Sequence, residues 1–223
     1  MSSASSWEKL SKPWQAAVGM AWEAYLDGCF PIGAVVADAD GNILATGRNR
    51  IYEKREADWG KRGAELAHAE VEALTRLDFS SIDVHTCALY TTTEPCPMCM
   101  GTFYISGVRN LHYLSREPWA GSVDMLGKTW YLSRKPIKVF APFDPVFEVL
   151  IMALMIEREL AQQHVDAQKP WNLVYQRWQK VVPGCLDAGK NLFESGVLAD
   201  LAKNKATTAE MVDCLYDRVK LFT

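Results

Sequence analysis

The sequence lacks what a membrane protein, a disulfide-built protein or a general nucleic-acid binder would show. Its longest aliphatic run, Val149 to Ile156, is eight residues, where a bilayer-spanning helix needs about 20. Met1 to Ser6 is small and polar, and Glu8, Lys9 and Lys12 follow, so the apolar core of a signal peptide is absent and a cytoplasmic location is expected. No basic excess exists either: 24 Lys and Arg stand against 27 Asp and Glu, for a net charge of -3. Phosphate backbones are therefore disfavoured as partners. Six cysteines are too few and too scattered for a disulfide framework, and only Cys96 and Cys99 lie close together. Such a pair points to metal binding or redox chemistry.

What is present is a chain of 223 residues, 49% hydrophobic, with ample apolar surface for a core. Leu10, Trp14, Ala17, Val18, Ala21, Trp22 and Tyr25 recur at helical spacing and predict a helix over Trp7 to Leu26, stopped at Gly28. Two short β-rich runs, 34–37 and 43–46, flank Asp38-Ala39-Asp40-Gly41-Asn42, which suits a hairpin. A helix fits His68 to Leu77. Cys87 to Thr93 reads as a strand that hands over to a helix near Cys96, and shorter strands fit 110–114 and 137–140. Alternation of this kind implies an α/β domain over residues 1–140, a sheet layered between helices. Pro142 and Pro145 then open a helix of about 20 residues, and helical sequence continues from Trp171. Residues 141–223 are thus expected to be a C-terminal helical extension. Its tail from Trp171 is nearly neutral, seven bases against six acids. The stripe Phe147, Leu150, Ile151, Leu154 suits a buried face or a dimer seam. Residues 51–67, rich in both charges, read as a solvated loop or as a lid.

Chemistry concentrates in His68-Ala69-Glu70 and Pro95-Cys96-Pro97-Met98-Cys99. Cysteines three apart on a first helical turn point to one side, and the positive helix end favours their thiolates. With His68 they give Zn2+ three protein ligands and leave its fourth position for water. Glu70, two residues past the histidine, is placed to accept that water's proton and to return it to a ring nitrogen and to departing ammonia. Taken alone, Cys-x-x-Cys could equally be half of a structural zinc site or a redox pair. The other candidate ligands, Cys87, His85 and His112, are not at finger spacing, and a redox pair leaves His68-Ala69-Glu70 unexplained. Histidine, then glutamate at plus two, then Pro-Cys-x-x-Cys is the pattern of the zinc deaminases as a class.

At these residues the chain resembles the cytidine deaminase superfamily, and within it the guanine deaminases and tRNA adenosine deaminases. The resemblance runs from Pro31-Ile32-Gly33-Ala34-Val35 through Gly47-Arg48-Asn49-Arg50, the two motifs above and Ala120-Gly121-Ser122, over roughly residues 7 to 140. It implies a three-layer cytidine-deaminase-like fold with a mixed sheet of about five strands, and a homodimer. It also implies a base-binding role for Asn49, backbone contacts from Ala69 and proton shuttling by Glu70. Asn49 reads equally as a turn residue closing the second strand, and Glu94 either supports the turn before Pro95 or touches the substrate amino group. Trp119 and Trp130 could stack on a planar base or simply pack. The expected substrate is a free nucleobase or nucleoside, purine-type such as guanine. A tRNA adenosine deaminase and a non-catalytic zinc-holding partner subunit are the rival readings.

Overall fold

The computed structural model describes residues 5–53, 65–142, 144–162 and 171–223, with backbone alone at 171–174. In chain order come α1 (Lys12–Leu26), β1 (Gly33–Ala37), β2 (Ile43–Arg48), α2 (Ala69–Thr75), β3 (Ala88–Thr93), α3 (Pro97–Ser106), β4 (Asn110–Ser115) and β5 (Lys138–Phe140). Five helices follow: α4 (Pro145–Gln162), α5 (Trp171–Val181), α6 (Cys185–Ser195), α7 (Val197–Lys203) and α8 (Thr208–Val219). The strands form one sheet in the order β2-β1-β3-β4-β5. β1 runs antiparallel to β2 and β3, whereas β3, β4 and β5 are parallel.

The expected first helix is broken. Trp7–Lys9 forms a separate 3-10 turn, and Ser11 is extended before α1 begins at Lys12. Pro13 explains the break, because proline lacks an amide hydrogen and fits only the first turn of a helix. The hairpin forms as expected: the Asp38 carboxylate accepts the N–H groups of Asp40 and Asn42, and Gly41 takes φ +80°. The helix after Pro145 has 18 residues, and the helical tail divides into four helices. Of residues 51–67, most lie outside the described residues. Glu53, at their start, is buried and not solvated.

Alternate residues of the strands feed two cores, as a sheet between helical layers requires. On one face, Ala34, Val36, Leu89 and Leu111 pack with Ala69, Ala73, Met100 and Phe103 of α2 and α3. On the other, Val35 and Leu114 meet α1 and α4. Two glycines let the helices lie directly on the strands. A Cβ at Gly33 would fall 2.1 Å from the Ala17 carbonyl oxygen of α1, and one at Gly47 would fall 2.2 Å from the Ala69 carbonyl oxygen of α2. The chain is thus an α/β protein with a five-stranded mixed sheet and a helical C-terminal part.

Residues 146–157 of α4 are buried without interruption. A helix apolar on all sides must be enclosed, and here the sheet, α1, α6 and α8 enclose it. Phe147, Leu150, Ile151 and Leu154 therefore lie inside the chain. Cys29, Cys87 and Cys185 are buried and Cys214 is half-buried, and none of the six cysteines is in a disulfide.

Candidate active site

Two helix N-termini meet beside β3. His68 is the extended N-cap of α2, so Ala69 and Glu70 open that helix; Cys96 is the extended N-cap of α3, with Pro97 starting it and Cys99 completing its first turn. The Sγ atoms of Cys96 and Cys99 are 3.5 Å apart, and His68 Nδ1 lies 3.6 and 3.4 Å from them. Tetrahedral zinc, with Zn–S about 2.3 Å and Zn–N about 2.0–2.1 Å, requires edges of about 3.8 Å between sulfurs and about 3.6 Å between sulfur and nitrogen. The three donors fit that triangle to within a few tenths of an ångström. Among the described residues they are the one group of three or more such side chains close enough to share an ion, so His68, Cys96 and Cys99 are placed to bind a metal.

The contact between the two sulfurs splits their titration: hydrogen bonding to Cys99 holds Cys96 down at about 4, and hydrogen bonding to Cys96 pushes Cys99 up. Hydrogen bonding to Cys96 raises His68. A metal in the triangle would need both sulfurs as thiolates, so its binding would release protons.

Glu70 is 3% exposed. Its Oε2 lies 3.3 Å from Cys99 Sγ and its Oε1 lies 3.1 Å from Thr91 Oγ1. Desolvation by burial raises its pKa above the usual carboxylate range. The structure thus sets a buried carboxyl with a raised pKa against one edge of the donor triangle.

Thr91 was not singled out from sequence, although Thr91-Thr92-Thr93 carried a signal. Three threonines in a strand buried on both faces each need a hydroxyl partner. Thr91 lies against Glu70, and Thr92 Oγ1 accepts the Gly33 N–H at 3.1 Å. Thr93 Oγ1 is buried without a partner among the described residues.

Asn49 is buried just past β2. Its N–H donates to Ile32 O, its Oδ1 accepts the Ile51 N–H at 3.2 Å, and the next N–H, of Arg50, donates to Ala67 O beside His68. Ala69 is fully buried against Gly47. The Glu94 carboxylate accepts the backbone N–H groups of Glu117 and Val123, each at 3.2 Å, so it braces the loop after β4. His112 is stacked between Tyr90 and Phe140, and burial lowers it to about 4. His85 lies 3.0 Å from Gly107 O past the end of α3. Both are structural. Trp119 and Trp130 are exposed.

An ion network on the other side of α2 was also not anticipated. Arg50 pairs with Glu53 and, at 2.9 Å, with Glu72; Arg76 reaches Glu72 at 2.7 Å; Arg48 reaches Glu53 at 3.0 Å and Asp27 at 2.8 Å. The Arg48 N–H also donates to Glu72. In a sequence such residues read as surface. Here they tie β2 to the helix that carries His68 and Glu70.

Residues 7–115 match the family described as the cytidine and deoxycytidylate deaminase zinc-binding region. A probable cytosine deaminase of Schizosaccharomyces pombe is 31% identical over 102 residues, 45% of this chain and 57% of that protein. The guanine deaminase of Bacillus subtilis is 34% identical over 89 residues, 39% of this chain and 51% of that protein. The chain therefore spans little more than half the length of these relatives. A solved structure of a protein bound to 2,6-diaminopurine superposes with a TM-score of 0.50 at 24% identity, covering 68% of this chain and 83% of the other, and shares the fold. The stretch that matches the cytidine and deoxycytidylate deaminase zinc-binding region, residues 7–115, runs from α1 to β4 and contains His68, Glu70, Cys96 and Cys99.

Proposed function

We propose that this chain is a hydrolytic deaminase that replaces the exocyclic amino group of a free nucleobase or nucleoside by oxygen and releases ammonia, with a purine such as guanine as the favoured ring. The observation that carries the reading is Glu70, a buried carboxyl that makes no ion pair with a lysine or arginine among the described residues, set against Cys99 at the donor triangle. Zinc held by His68, Cys96 and Cys99 would supply Lewis acidity that lowers the pKa of a water to about 7. Glu70 takes the proton of the attacking water, delivers it to the ring nitrogen, and takes part in protonating the leaving amine. Thr91 keeps the carboxyl in one orientation. Asn49 offers its side-chain N–H donors to a ring acceptor, and Ala69 contributes backbone groups beside it. Glu94 acts through the loop it braces. In this reading residues 1–140 carry the chemistry and residues 141–223 enclose and shape it.

The guanine deaminase among the relatives supports a purine, and the absence of a basic excess supports a small substrate over RNA. A homodimer belongs to the same proposal. One side of α3, with Pro97, Met98, Gly101 and Ile105, forms with Leu74 and Phe79 an apolar recess of about 510 Å³, and Ile105 is 72% exposed. A second copy would cover it, and Ile105→Lys should then yield a monomer on light scattering.

Ammonia release from bases, nucleosides, nucleotides and a tRNA, with zinc-quantified wild type beside Glu70→Ala, tests the function. Turnover of one small substrate, lost in a variant that keeps its zinc, is expected. Turnover of tRNA alone would replace the small-substrate reading. Intact substrates throughout, with zinc bound by four protein ligands, would make the chain a non-catalytic subunit.

A further inference from the structure

The loop at 116–122 leaves the C-terminal end of β4, beside the end of β3 where Cys96 begins α3. In open α/β sheets this is the edge outside which ligands bind. The loop is gripped from the inside by the candidate site. Ser122 N–H donates to Pro95 O at 3.0 Å, one residue from Cys96, and Glu94 takes the N–H groups of Glu117 and Val123. The fit is close: a Cβ at Gly121 would lie 2.6 Å from the Glu94 carboxyl carbon.

From the outside it is gripped by two helices of the C-terminal part. Arg116 makes a bidentate pair with Glu148 of α4, at 2.6 and 3.0 Å. Glu117 Oε1 accepts the indole N–H of Trp178 on α5 at 3.2 Å, together with the Trp119 N–H at 2.8 Å, and the Arg177 guanidinium of α5 donates to Pro118 O. Trp178 is 4% exposed, so its N–H has no access to bulk water, and Glu117 is its acceptor.

We infer that α5 is a strut for the substrate side of the site: through Trp178 and Arg177 it fixes Glu117 and Pro118, and so the wall formed by residues 116–122. Glu117 and Trp178 are positioning residues, 61 positions apart in the chain, that act through the loop. The C-terminal helices thereby take part in substrate binding without contributing a group to the reacting atoms. This inference rests on the deaminase reading for its substrate, though not for the hold of α5 on the loop.

Two readouts on the zinc-loaded chain test it, with Trp178→Phe, Glu117→Ala and Glu117→Gln beside wild type. Gln keeps an acceptor for the indole and should restore wild-type behaviour. Amide hydrogen exchange at Gly121, Ser122 and Val123 should quicken at least tenfold in Trp178→Phe and Glu117→Ala, while Met100 in α3 stays unchanged. KM for the substrate found in the panel should rise about tenfold in the same two variants, the loss expected for one ordinary hydrogen bond, which glutamine can also make, with kcat within about twofold and zinc content unaltered. Unchanged exchange at the three amides in both variants would overturn the strut. So would a fall in kcat or zinc with KM unmoved, which would place the defect in the metal centre. If wild type deaminates nothing, the deaminase reading falls, and the exchange measurement still decides whether α5 holds the loop.

Discussion

The two sides of α2 treat the same side chain in opposite ways. Glu70 and Glu72 are two residues apart on a seven-residue helix, and both are buried, 3% and 2% exposed. Glu72 faces Arg50, Arg76 and the Arg48 N–H. Glu70 faces a thiol and a hydroxyl. A buried carboxylate ringed by guanidinium groups is a fastening, because its charge is fully compensated where it stands. One left without a cation costs stability and persists where chemistry uses it. The helix is thus fastened on one side, and on the other it holds the carboxyl proposed to carry the chemistry.

The contrast can be broken most sharply at Glu70. Glu70→Ala should lower kcat by about a thousandfold or more, within the range for loss of a general acid–base, with zinc content and the urea midpoint no lower than wild type. A drop in stability would place Glu70 with the fastenings. Glu72→Ala should do the reverse, costing about 2–3 kcal/mol in urea denaturation because buried Arg50 and the Arg48 N–H lose a charged hydrogen-bond acceptor, with kcat per folded molecule reduced far less. Thr91→Val should come next. It is expected to lower kcat about tenfold, equivalent to about 1.4 kcal/mol, with Thr91→Ser restoring most of the loss; unaltered kinetics in Thr91→Val would remove the hydroxyl from the mechanism.

A smaller effect concerns pH. Burial works to raise Glu53, but hydrogen bonds from Arg50 and Arg48 more than offset it and hold its pKa below the ordinary value. Its contribution is therefore full above the unfolded pKa of about 4.3 and is lost as pH falls through the lower folded value. Glu53→Gln should flatten the acid limb of a stability-against-pH curve, and an unchanged limb would show that other carboxylates set it. Smallest of all, Arg76→Ala should cost under about 1 kcal/mol, since that side chain is 41% exposed.

The same contrast explains what could be seen in the sequence. The donor triangle was legible because its spacing is local: Cys96 and Cys99 share a helical turn, and His68 and Glu70 share another. The hairpin at 38–42 was legible from its Asp and Gly residues, and α1 from its apolar period, apart from the break that Pro13 enforces. The fastenings were not. Arg48, Arg50, Glu53 and Glu72 read as solvated charges until β2 and α2 are laid together, and Gly47 is what allows that approach. Thr91 looked like strand filler. Glu117 and Trp178 meet across 61 positions, a distance over which no local pattern speaks. Glu94 read as a support for the turn before Pro95 or as a substrate contact, whereas its carboxylate is engaged by the loop after β4, 23 and 29 positions away.

The burial of α4 bears on how the protein comes into being. While the chain is still emerging from the ribosome, the sheet face around Val35 and Leu114 has α1 but not its other cover, and α4 when it appears has no partner for its far sides until α6 and α8 arrive. The stretch matching the deaminase family would by itself leave the part of that face that α4 covers bare, an invitation to aggregation. The sheet is therefore fully covered only once α6 and α8 have enclosed α4, and a chaperone that shields α4 in the interval would raise the yield of folded protein.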